Sequence, residues 1–144
     1  MPYTKIWIHL LWSTKNRSKI ISKEIKPILL DHIRENAKEK GIHIDTINCV
    51  QDHIHVIISL GRDQTISKIT QLIKGESSNW MNKQKISKIK FEWQDEYIGV
   101  SVSHSMIDKV RKYINNQEEH HRTKSFMEEY NEFITKYEFE EYNE

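Results

Sequence analysis

The chain has 144 residues, of which 37% are hydrophobic and 30% charged, and its formal net charge is +1. Four Trp, six Tyr and four Phe exclude a disordered chain, and the length suits one domain with room for an appendage. Four Gly and a single Cys leave no glycine-rich phosphate loop, no G-x-S-x-G nucleophile and no Cys-based zinc motif, and no apolar run approaches the ~18 residues of a membrane span.

Tyr3 to Ser13, with Ile6, Trp7, Ile8, Leu10 and Trp12, reads as a strand. The N-terminus lacks the basic region and long apolar core of a signal peptide, and Cys49 sits in an apolar run, so a reducing, cytoplasmic setting is expected. Ser22 caps a helix running to Lys40, with Ile25, Ile28, Leu29, His32 and Ile33 at helical spacing and Gly41 as the stop. Ile42 to Val50 alternates Ile42, Ile44 and Thr46 against His43, Asp45 and Ile47, and reads as a strand. Gln51-Asp52 turns the chain into a second strand, His53 to Leu60, giving a hairpin. Thr65 caps a helix carrying Ile66, Ile69, Leu72 and Ile73 towards Trp80, with Gly75 in its middle. Residues 82–92 are polar and basic and read as a loop. Tyr97 to Ser103 is a fourth strand, Ser105 opens a helix through Gln117, and Ser125 to Tyr142 is acidic, aromatic and helical in pattern.

The order β-α-β-β-α-β, then a helix, predicts an α+β ferredoxin-like fold, the split βαβ. Its four-stranded antiparallel sheet would carry helices on one face and leave the other open to partners. RNA-recognition modules stack bases on that face. The boundaries expected are a domain over residues 1–124 and a tail over 125–144.

His53-Ile54-His55 lies within a predicted strand. Residues at i and i+2 share a face, so the imidazoles project together while Ile54, Val56 and Ile58 turn to the core. That is a workable pair of metal ligands. A chain with 8 His yields roughly 0.4 His-x-His pairs by chance, so two half-exposed strand histidines are the alternative. Tyr113 and Gln117 stand one helical turn apart. A Tyr hydroxyl is a nucleophile that needs a neighbouring cation at neutral pH. A Gln carbonyl can serve as a third ligand that leaves a divalent ion its full charge. The edge of an amphipathic helix has the same pattern.

Together these residues resemble the HUH endonucleases, and in length and order the single-tyrosine transposases of small bacterial insertion sequences, with the REP-associated tyrosine transposases as close relatives. The similar stretches are Tyr3 to His9, Gln51 to Val56, Trp93-Gln94 to Ser103, and Tyr113 through His121. The resemblance implies an enzyme that cleaves and rejoins single-stranded DNA at a hairpin near a transposon end through a 5′-phosphotyrosine. By position it implies Tyr113 as nucleophile, and His53, His55 and Gln117 as ligands of Mg²⁺ or Mn²⁺. Imidazole donors favour Mn²⁺ or Zn²⁺, whereas Mg²⁺ suits ions bound along with phosphates. It also implies a homodimer in which the tyrosine helix of one chain completes the His pair of the other, in the cytoplasm of a bacterium or archaeon. REP-associated relatives leave a monomer open. A replication or relaxase-type nickase would use the same chemistry, but the chain lacks any helicase module. A non-catalytic ferredoxin-like nucleic-acid-binding module is the reading from another class.

Asp52 adjoins the His pair, either orienting an imidazole or shaping the turn. His120 and His121 follow Gln117; His121 is an alternative ligand, or both interact with the helix dipole. Lys15 and Arg17 follow the first strand, Lys83, Lys85, Lys88 and Lys90 precede Trp93, and Lys109, Arg111 and Lys112 flank Tyr113. All suit contacts to a phosphate backbone. The charge divides unevenly. Residues 125–144 hold seven acidic side chains and Lys136, whereas residues 1–124 hold 21 basic and 14 acidic ones. The body is cationic, as a DNA partner requires. The acidic tail either packs on the body or on a partner chain, or screens the basic face as a DNA mimic.

Overall fold

The computed structural model describes residues 3–117 and 125–137. The chain runs β1 (Trp7–Ser13), a single 3-10 turn (Lys15–Arg17), α1 (Ile25–Glu39), β2 (His43–Cys49), β3 (His53–Ser59), α2 (Ile66–Lys83), β4 (Ile98–Val102), α3 (Ile107–Asn115) and α4 (Phe126–Tyr137). The four strands form one antiparallel sheet in the order β2-β3-β1-β4. The two hydrophobic strands, β1 and β3, are central, so nearly all their residues are buried. This is the α+β split βαβ arrangement, with α1 and α2 on one face.

That face carries the main core. Ile8, Leu10 and Trp12 of β1 and Ile54, Val56 and Ile58 of β3 meet Leu29, Ile33 and Ala37 of α1 and Ile69, Ile73 and Met81 of α2. The Ser22 hydroxyl, three residues ahead of the first residue of α1, accepts the Ile25 N–H. Gly41, at φ +71°, ends it in the left-handed conformation glycine favours. The Thr65 hydroxyl accepts the Lys68 N–H at the start of α2. The α2 helix runs through Gly75 and on to Lys83, so the polar segment is shorter than the sequence predicts. That segment returns Phe91 and Trp93 to the core, and the Trp93 indole N–H donates to the Ser77 hydroxyl at 2.9 Å. Leu29 is fully buried under α1. Leu29→Ala should cost about 2–5 kcal/mol through lost burial and a cavity, read as a lower midpoint in urea unfolding.

Two expectations are corrected here. The simple alternation of β2 fails at Asp45, where the β2–β3 register shifts between Ile44 and Thr46. The bulge inserts one residue, so Ile44, Ile47 and Cys49 pack on the main core, out of step with Thr46. The opposite face of the sheet is also not open. There α3 packs Ile107 and Ile114 against Trp7 and Ile57, while Phe126 of α4 packs against Leu11, Ile98 and Val100. Trp7 and Leu11 of β1 and Ile57 of β3 are the apolar residues of that face, and under α3 and α4 they bury surface that an open face would expose to water.

Candidate active site

The covered face holds the chemistry. On β3, His53 and His55 alternate with Ile54 and Val56 and point towards α3 and α4, and both are fully buried. The Asp52 carboxylate lies 2.8 Å from His53 Nδ1. Its backbone carbonyl accepts the Thr14 N–H at 2.8 Å, which fixes the turn against β1. Asp52 therefore both shapes the turn and orients the ring. His55 Nδ1 lies 2.9 Å from Nε2 of His9, the diagonal neighbour on β1. His9 is itself buried, and burial, then the adjacent His55, push its pKa down to about 3, so it is neutral. With Nδ1 of each ring held by a neighbour, the two Nε2 atoms face the same space.

Glu129 of α4 closes that space. Its side chain is fully buried, with Oε2 3.1 Å from His53 Nε2 and Oε1 3.1 Å from His55 Nε2. Burial alone would lower the His53 pKa, but the carboxylates of Asp52 and Glu129 outweigh it and hold the imidazole above its ordinary range.

Tyr113 reaches the same point from α3. Its ring stands edge-on to His55, with centroids 5.7 Å apart, and its hydroxyl donates to Glu129. Burial first, then the Glu129 carboxylate, hold the phenol well above its usual pKa. A nucleophilic Tyr113 needs positive charge placed beside it. The α3 helix is pinned to β2. Arg111 makes a two-pronged ion pair with Asp45 at 2.6 and 2.9 Å, and the Asn48 amide donates to the Ile114 carbonyl at 2.8 Å. The β2 bulge is what turns Asp45 towards that helix. The first regular span of α3 ends at Asn115. Gln117 follows the break, fully buried, with its amide donating to the Tyr113 carbonyl at 3.1 Å.

The structure of the single chain brings together Tyr113, His53, His55, Asp52 and Gln117. Four residues join β4 to α3, and the Asp45 and Asn48 contacts hold the helix over its own sheet. His121 lies outside the described residues, as does His120. Two residues of the site went unsingled in the sequence: His9 and Glu129. Period-two alternation in β1 sets His9 on the face opposite Ile8 and Leu10, a usable signal once the β1–β3 register is known.

The cations have separate places. Lys15, Arg17, Lys83, Lys85, Lys88 and Lys90 are all exposed, and Lys15 and Lys90 converge on Glu92 at 3.5 and 3.2 Å, joining the two basic runs. Lys109 and Lys112 are exposed on α3, while Arg111 is engaged by Asp45 and Asp108. A 920 Å³ groove lined by Lys15, Arg17, Lys74, Trp93, Tyr97 and Tyr130 runs beside the site. Phe126 also lines it, and its ring centroid is 4.8 Å from that of His53.

The donor set suits a divalent cation. His53, His55 and Glu129 offer two imidazole nitrogens and a carboxylate oxygen, all within 4.8 Å of one another. Imidazole with carboxylate suits Mn²⁺ or Zn²⁺. Among the described residues, no helix is long and apolar enough to cross a membrane.

A family model described as "Transposase IS200 like" matches residues 2–117. The ISDra2 transposase TnpA of Deinococcus radiodurans is 28% identical over 115 residues, covering 76% of this chain and 81% of that protein. Among solved structures, a candidate transposase of Deinococcus radiodurans superposes with TM-score 0.66 at 23% identity, over 81% of this chain and 93% of that one. A REP-associated tyrosine transposase, solved bound to a REP hairpin, gives TM-score 0.64 at 18% identity, over 84% of this chain and 72% of that one. Both support the fold.

Proposed function

The chain belongs to the IS200-like transposase family, and from that premise we propose that it cleaves and rejoins single-stranded DNA at hairpin-marked ends, with Tyr113 as the nucleophile. The observation that carries the reading is that the Tyr113 hydroxyl reaches the Glu129 carboxylate, which itself lies against both the His53 and His55 imidazoles, with the Tyr113 ring edge-on to His55.

In the proposed reaction the Tyr113 oxygen attacks the scissile phosphorus. An O–P bond to Tyr113 forms and the bond to the 3′-oxygen breaks. The phenol gives up a proton and the departing 3′-oxygen takes one up, so the products are a 5′-phosphotyrosine and a free 3′-hydroxyl. The phosphodiester energy is kept, and the 3′-hydroxyl of another strand can reverse the step without ATP. His53 and His55 would hold a divalent ion, Mg²⁺ or Mn²⁺, with the Gln117 carbonyl as the further ligand that the family pattern implies. Such an ion, when bound, polarises the phosphate and favours the phenolate. Asp52 and His9 fix the tautomer and orientation of the two rings. The groove beside the site supplies Lys15 and Arg17 for phosphates and Tyr97 and Tyr130 for unpaired bases. Such chemistry belongs where the chromosome is, in the cytoplasm of a prokaryotic cell.

The test is incubation with single-stranded hairpin DNA carrying native flanks. A covalent protein–DNA species that survives denaturing electrophoresis, appears with Mn²⁺ or Mg²⁺ and is absent with a chelator is the expected result. DNA binding with no such species on the native flanks would oppose it.

One tyrosine per chain cuts one end, so excision calls for a pair of chains. We propose a homodimer whose sites are each completed in cis. Mixing Tyr113→Phe chains with His55→Ala chains should then leave cleavage lost. Recovery of cleavage on mixing would show that α3 is exchanged between partners.

A further inference from the structure

We propose that Glu129, carried by α4, is a direct ligand of the same ion as His53 and His55, so that the chain offers two imidazoles and one carboxylate. The inference rests on the reading of the His pair as a metal site.

The placement of the carboxylate carries it. Glu129 is fully buried, and each of its two oxygens faces a different ring nitrogen, both at 3.1 Å. Two ligands about 2.1 Å from one ion and at right angles lie about 3.0 Å apart. The 3.1 Å separations are close to that spacing, which is also the length of a direct hydrogen bond, so the donors already stand near where one ion would hold them. Both imidazoles already turn Nε2 towards the carboxylate, because Asp52 and His9 take up the Nδ1 positions. Phe126, one turn before Glu129, packs into the Leu11, Ile98 and Val100 cluster, so α4 is anchored where its Glu129 meets the rings.

The consequence is specific to this chain. The set implied by the resemblance ends in a neutral amide and leaves an ion its full +2. A carboxylate donor lowers that to +1 and strengthens binding before any DNA phosphate arrives. Because the ligand comes from α4, loading the ion also clamps that helix onto the sheet.

The test uses the full chain without DNA. Mn²⁺ is titrated and the free ion is followed by its EPR signal, while thermal unfolding is recorded with and without Mn²⁺. Wild type should bind one ion and melt higher with it. His55→Ala should lose both effects. Glu129→Gln, of matching shape, should bind at least about ten-fold more weakly, since partners outside the ligand set already account for 10–100-fold, and its melting rise should shrink. Glu129→Asp keeps the carboxylate at shorter reach. It should bind between the two and shift the visible spectrum of the Co²⁺-loaded protein, which guards against a Gln variant that fails to fold. Glu129→Gln and Glu129→Asp binding as wild type does, while His55→Ala does not, would overturn the role of Glu129 and leave the His site standing. Equal binding by wild type and His55→Ala would overturn the His site, and this inference with it.

Discussion

Tyr113→Phe should abolish the covalent protein–DNA species while the chain still folds and still binds hairpin DNA. The ring of Tyr113 packs beside Ile107, Ile114 and Trp7 and stands edge-on to His55. Phe keeps that packing and removes only the hydroxyl and its hydrogen bond to Glu129. The loss in stability should be small, since a typical hydrogen bond contributes about 0.5–1.5 kcal/mol net. The loss in reaction should be roughly 10³-fold or more, because removing a nucleophile removes the step itself. The readout is the adduct band on a denaturing gel beside a gel-shift titration of the same hairpin. A full adduct band from the Phe variant would assign the nucleophile elsewhere.

The second large effect is expected at the His pair. His53→Ala or His55→Ala should remove metal-dependent cleavage, again by roughly 10³-fold, because a metal ion contributes several kcal/mol of charge stabilisation to such a step. Both rings are fully buried and face the Glu129 carboxylate. Their removal also leaves a buried charge facing a void, so thermal unfolding should shift down as well. His9→Asn should be milder, about 10–100-fold, because His9 acts on the site through His55. Cleavage rates measured across a Mn²⁺ series separate the two: added Mn²⁺ should restore His9→Asn in part and should not restore His55→Ala.

Much of this arrangement is legible in the sequence where the signal is local. Alternation in His53 to Ser59 sets the imidazoles on one face and the isoleucines on the other. The apolar repeat of Leu29, Ile33 and Ala37, ended by Gly41, gives α1. Spacing brings Tyr113 and Gln117 near each other without any tertiary information. What stayed hidden depends on contacts far apart along the chain. The bulge at Asp45 is one extra residue in a polar stretch, and only the Arg111 pairing reveals its use. His9 and His55 are 46 residues apart and meet through the strand register. Glu129 is one of seven acidic residues in a segment whose sequence leaves open whether it packs or screens the basic face. Nothing in its local spacing separates it from Glu128, which lies outside the site. Phe126 and Tyr130 on the same helix face mark α4 as amphipathic, and its polar member on that face is the one carried into the site.

The claim at the centre of this account is that Tyr113, brought to the His53–His55 pair, becomes bonded to DNA. The most direct measurement is mass spectrometry of the peptide left attached to a nucleotide after the Mn²⁺ reaction with hairpin DNA is digested by protease and nuclease. The account predicts a single modified peptide containing Tyr113, linked through a 5′-phosphate, with a 3′-hydroxyl on the other fragment. A linkage at another residue, or complete cleavage that leaves no attached nucleotide, would contradict it.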